Sequence, residues 1–137
     1  EDVALRDLAR RLGVDDAIEW PGWVGEPSSV MRRIDIYVNP WPWEGYGMAM
    51  AEALGHGVPV IAPRSGASPD LIRDGVNGLL VPALDSEALA ASIIRLATNA
   101  DERHTFGRAG REDIARDHTV SAVAVRLRAF YEQVAGS

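Results

Sequence analysis

An α/β domain built on a parallel sheet, with helices on both faces, is the fold this sequence predicts, and three observations predict it. Helical and strand-like segments alternate along the chain. The strand candidates are apolar throughout, with no in–out alternation, as expected of strands covered on both faces. The 137 residues contain no internal repeat and no low-complexity linker, which fits one domain.

Leu5, Leu8, Ala9 and Leu12 share a helical face, and Gly13 stands where that helix should stop. A short strand is expected over residues 18–20, closed by Pro21-Gly22, then a short helix over 28–33. Residues 34–38 read as a buried strand ending at Asn39-Pro40. A Pro/Trp/Gly loop follows, then an apolar helix over about 47–54, stopped by Gly55 and Gly57. Residues 58–62 form the next buried strand candidate. Ser68 is an expected N-cap, Pro69 suits the first helical position and Asp70 favours the positive end of the helix dipole. Asp74-Gly75 ends that helix, and 78–81 reads as another strand. Asp85 or Ser86 should cap a helix whose apolar face carries Leu89, Ile93 and Leu96. Two further helical stretches cover about 101–117 and 119–134. The reading totals four parallel strands.

Composition excludes several classes. Hydrophobic residues make up 47%, enough for a core, and no cysteine is present to build a disulfide or thiolate metal site. The formal charge of −6, without a long basic run, argues against a nucleic-acid surface. No apolar run approaches the ~20 residues of a membrane span. All fourteen basic residues are arginine. His56, His104 and His118 lack metal-ligand spacing and read as structural. Arg64 follows a strand, where it can reach a phosphate or form a surface salt bridge. Arg108, Arg111, Arg116, Arg126 and Arg128 read as solvated helix faces.

The informative stretch is PWPWEGYGMAMAEALGHGVPVIA, residues 40–62, which runs strand, loop, helix, strand. In open parallel sheets ligands bind beyond the carboxyl ends of the strands, where Glu44-Gly45-Tyr46-Gly47 falls. The glycines allow bending and close approach, and the amides of Tyr46, Gly47 and Met48 sit at a helix start that favours an anion such as a diphosphate. Glu44 and Glu52 are eight residues apart, one before the helix and one within it. Helical side chains tilt toward the N-terminus, so Glu52 can lean back to the same ligand. Carboxylates beside phosphate-binding amides suit a molecule with both phosphates and vicinal hydroxyls, which a nucleoside-diphosphate sugar has. Trp41 and Trp43 either wall such a sugar or pack over the sheet edge.

The ordered set Pro40, Glu44-Gly45-Tyr46-Gly47, Glu52-Ala53, Gly57, Pro59-Val60-Ile61-Ala62, Ser65-Gly66-Ala67, Asp70, Asp74-Gly75 and Gly78-Leu79-Leu80-Val81 resembles the signature of retaining glycosyltransferases of family 4, the group 1 type, which have the GT-B fold. The resemblance covers nearly the whole chain, including Pro21-Gly22-Trp23-Val24. It implies that residues 1–137 are the C-terminal, nucleotide-sugar-binding domain, Rossmann-like and lacking its first strands. It implies Glu44 at the donor sugar and Glu52 at the ribose. The amides of Gly47 and Met48 would meet phosphate or sugar, and Trp23-Val24 would border the base. It further implies no metal and no cofactor beyond the donor. The partner would be an N-terminal acceptor domain, in a cytoplasmic enzyme that can sit peripherally at the inner membrane face. The Arg and Lys that grip the diphosphate in this family fall upstream of Glu1, so the chain alone is expected to be inactive and to bind weakly. Trp41, Ala67 and Asp70 depart from the family's Ser, Gly and Glu. The rival readings are a stand-alone nucleotide-sugar-binding module, or an epimerase or phosphorylase on the same architecture. A dinucleotide dehydrogenase lacks its G-x-G-x-x-G.

Overall fold

A computed structural model describes residues 2–136. The chain opens with helix α1 (Asp2–Leu12), followed by a 3-10 turn (Asp15–Ala17) and helix α2 (Pro27–Met31). Strand β1 (Tyr37–Val38), helix α3 (Met48–Gly55), strand β2 (Val60–Pro63), helix α4 (Ser68–Leu71) and strand β3 (Gly78–Val81) come next. Helices α5 (Ser86–Thr98), α6 (Ala100–Asp117) and α7 (Val120–Ala135) complete the order. No helix among the described residues is long and apolar enough to cross a membrane.

The sheet is parallel, in the order β1-β2-β3, with Tyr37 opposite Val60 and Ile61 opposite Leu79. The strand alternation divides the core in two. Val60, Ala62 and Leu80 face α2, α3 and α4, packing with Met31, Met50, Leu54 and Leu71. Ile61, Leu79 and Val81 face the other way, onto Leu96 of α5 and Phe106 of α6. Every residue of β2 and β3 is buried, as their unbroken apolar sequence requires. Leu89 and Ile93 of α5 join that second core, the face expected for this helix.

Helix ends follow local chemistry. After α1, Gly13 takes φ +67° and the bonds Gly13 N–Arg10 O (3.1 Å) and Val14 N–Ala9 O (3.0 Å) close a Schellman motif. The carboxylate of Asp85 caps α5 by accepting from Ala88 N at 2.9 Å. Asn99 and Thr119 cap α6 and α7 in the same way.

Three strands are present among the described residues, where four were expected. Residues 18–20 form no ladder: Ile18 has an extended backbone (φ −113°, ψ 121°), but no neighbouring strand exchanges hydrogen bonds with it. Extended geometry alone does not make a strand; a partner does. For the same reason only two residues of the 34–38 candidate are paired, and the far side of β1 pairs with nothing among the described residues. Ser68 is not a cap. It is the first residue of α4, buried, with its hydroxyl 3.9 Å from Met50 Sδ, and Ala67 precedes the helix without a side-chain bond.

Candidate functional site

The candidate site lies at the carboxyl end of β1, where residues 39–47 lead into α3. Gly47 makes this start possible. It adopts φ +81°, and a Cβ there would stand 2.3 Å from Met50 Cε and 3.1 Å from Leu71 Cδ1. A side chain would therefore strain the backbone and force the Met50 methyl group to move. Gly45 is different: its φ is not positive, and an added Cβ would meet nothing within 4 Å, so its freedom is not spent on the fold.

Glu44 is half-buried and held from two sides. Its Oε1 accepts from Gly47 N at 3.2 Å, and its carbonyl accepts from Ala67 N at 2.9 Å. One of the three amides expected to meet an anion is thus engaged by the Glu44 carboxylate. The first turn of α3 still leaves N–H groups of Met48, Ala49 and Met50 without an intrahelical acceptor. The Glu44 charge is felt at β1: burial first, and this carboxylate second, raise the pKa of the Tyr37 hydroxyl above the usual tyrosine value. Glu52, in the second turn of α3, is half-buried, and its carbonyl accepts from His56 N at 3.0 Å. The structure therefore brings Glu44, Gly45, Tyr46, Gly47, Met48 and Glu52 onto one loop–helix unit. Tyr46 and Met48 are exposed.

Trp23 and Val24 sit elsewhere, in the turn before α2. Trp23 is 94% exposed, and Val24 lines a cavity of about 450 Å³ with Pro21, Val30 and Ile34. Arg64 is paired with Asp74, whose other oxygen accepts from Leu80 N at 3.0 Å, so this arginine serves the salt-bridge role.

The loop 65–67 was legible as a motif but not as a clamp. Gly66 (φ +54°) passes so close to Glu44 that a Cβ would lie 2.1 Å from the Glu44 carbonyl oxygen. Ser65 Oγ donates to Pro42 O at 2.6 Å. Ala67, which stands where the family motif has glycine, has φ −79°, so glycine is not needed there. A second feature had no sequence signal. A largely apolar cavity of about 220 Å³ opens beyond the ends of the strands, lined by Pro40, Pro63, Val81, Pro82, Leu84 and Leu89 together with Asp85 and Ser86.

Comparison with known proteins adds three findings. Residues 1–99 match the profile of the family described as glycosyl transferases group 1. The chain is 36% identical over 115 residues to D-inositol 3-phosphate glycosyltransferase of Saccharomonospora viridis, covering 82% of this chain and 27% of the relative. It is also 36% identical over 128 residues to phosphatidyl-myo-inositol mannosyltransferase of Mycobacterium leprae, covering 91% of this chain and 34% of the relative. It thus spans about a third or less of these relatives' length. Among solved structures, sucrose-phosphate synthase of Thermosynechococcus elongatus superposes with a TM-score of 0.86 at 27% identity, over 97% of this chain and 34% of that one. The C-terminal domain of a group 1 glycosyl transferase of Francisella tularensis gives 0.78 at 25% identity, over 87% and 63%. HepE of Anabaena, solved with UDP-glucose, shares the fold with a TM-score of 0.86 at 21% identity, over 95% and 36%.

Proposed function

Because this chain belongs to the group 1 glycosyl transferases, we propose that it is the donor-binding domain of an enzyme that moves a sugar from a nucleoside-diphosphate sugar to an acceptor hydroxyl, with retention of anomeric configuration. One observation carries the proposal: Glu44 and Glu52 flank the first turn of α3 beyond the carboxyl end of β1. That turn offers N–H groups and a helix dipole to phosphate, and the two carboxylates offer acceptors to hydroxyls on either side of it. Glu52 takes the ribose, Glu44 the sugar, and Tyr46, Gly47 and Met48 lie against phosphate or sugar. Trp23 and Val24 border the base. The domain's physical work is to position the donor and to stabilise the departing diphosphate. The reaction needs no metal in this reading, and the acceptor is held by a partner domain of the complete polypeptide.

In the complete polypeptide, Glu52→Ala weakens binding of the free nucleoside diphosphate by about 1–3 kcal/mol, the cost of losing hydrogen bonds to a charged group. Calorimetry with UDP and GDP measures it. Unchanged affinity for both removes Glu52 from the site, and no binding by the unaltered protein removes the proposal.

A further inference from the structure

The segment Trp41-Pro42-Trp43 presents two indoles in a way that packing does not explain. Trp41 is 66% exposed and Trp43 is 68% exposed, so neither ring is spent on the core or folded over the sheet edge. A tryptophan ring carries ~150–250 Å² that burial would reward. Yet the backbone beneath the rings is fixed. Asn39, itself buried, donates from its own backbone to Ile61 O (2.9 Å), and its Oδ1 accepts from Trp41 N (3.2 Å). At the other end Ser65 Oγ holds the Pro42 carbonyl at 2.6 Å, and Ala67 N holds the Glu44 carbonyl at 2.9 Å. Pro40 and Pro42 each restrict φ between those anchors. The result is an ordered clip with both large apolar side chains left to solvent, ending on the carboxylate of Glu44.

A pyranose ring fits that combination. It has an apolar C–H face and a rim of hydroxyls. The indoles suit the face; the carboxylate in the next position suits the rim. Resting on the donor-binding reading above, we propose that Trp41 and Trp43 form a stacking wall for a pyranose ring, which makes them specificity-determining residues that a serine at position 41 would not provide. The ring comes from the donor or from the acceptor, and the two sources separate in one experiment.

In the complete polypeptide, Trp41→Phe and Trp43→Phe variants assign the two indole N–H resonances of these residues in a nitrogen-15 correlation spectrum. The protein is titrated with UDP, GDP, UDP-glucose, GDP-mannose, methyl α-glucopyranoside and methyl α-mannopyranoside. The expected result is a shift of the Trp41 and Trp43 signals with a sugar-bearing ligand and none with UDP or GDP alone. Shifts with the nucleotide sugars only assign the donor ring; shifts with a methyl glycoside assign the acceptor ring. Trp43→Ala should weaken the responding ligand about two- to tenfold, and Trp43→Phe less, since the phenyl ring keeps part of the stacking face. If the nucleotide sugars shift the Gly47 amide while both indoles stay still, the wall is wrong and the donor-binding reading stands. If UDP and GDP move no amide of residues 44–48 but a methyl glycoside moves the indoles, the wall stands and the nucleotide reading falls. Still spectra throughout overturn both.

Discussion

Glu44 serves the chain with its carbonyl, which receives Ala67, and with its carboxylate, which receives the amide of Gly47. Glutamine at this position keeps the size and one acceptor oxygen for Gly47, so the loop survives while the negative charge goes. If Glu44 meets the donor sugar, Glu44→Gln lowers kcat of the complete enzyme about 10²-fold, as expected when a preorganised electrostatic contact is lost, and leaves nucleotide affinity nearly unchanged. Steady-state kinetics paired with calorimetry reads both quantities. Affinity that collapses while kcat holds would exchange the roles of Glu44 and Glu52. The position of Glu44 was legible because glycines, a helix start and a second glutamate fall in a fixed order within one short segment. The grip of residues 65–67 on it and on Pro42 was not, since a contact between two loops more than twenty residues apart leaves no trace in local periodicity.

At the level of elements, α6 carries more than its charged sequence suggests. Its arginines read as a solvated face, and Arg108 and Arg111 are indeed exposed. A neighbouring face holds Gly107 and Gly110, both buried, against the end of α3. A Cβ on Gly107 would lie 2.0 Å from the carbonyl oxygen of Gly57, and one on Gly110 2.7 Å from Leu54 Cδ2. Gly57 cannot yield easily: it is left-handed (φ +80°) within the turn that closes α3 and starts the approach to β2. Gly107→Ala therefore sets a helix-propensity gain of ~1 kcal/mol against a backbone collision. The collision wins, and the variant should lose about 1–3 kcal/mol of stability in urea melts. A more stable variant would mean that α6 does not pack this closely. Helices α3, α6 and α7 were legible to within a residue, and the end of α1 and the start of α5 with them, because amphipathic spacing and caps are local. The strand expected over 18–20 was not, because pairing is settled elsewhere in space.

For the whole molecule, one buried carboxylate ties α6 to the segment that leads from α4 into β3. Asp113 of α6, with its side chain 9% exposed, accepts from Arg73 Nε (2.9 Å), from Arg116 (2.9 Å) and from Asn77 Nδ2 (3.0 Å). Asn77 is fully buried and also receives the amide of Arg73. Burial alone would raise the Asp113 pKa, but the hydrogen bonds from Arg73, Arg116 and Asn77 outweigh it and leave the group below the ordinary aspartate value. A carboxyl depressed on folding contributes stability that is fully present above its unfolded pKa and lost as pH falls through the folded one. Acidification below about pH 4 should therefore weaken the fold. Asp113→Asn should be less stable at pH 7 by about 1–3 kcal/mol and lose less on acidification. Equal acid slopes in urea melts of the two proteins would dismiss the network. The strand β1 has a different consequence for behaviour in concentrated solution. Among the described residues its far side is unpaired and offers a ladder of only two residues, and Pro40 follows two positions later with no N–H to extend it. Left uncovered, this edge gives an intruding strand from another copy too few rungs to hold, so residues 2–136 on their own offer fibre growth almost no template there.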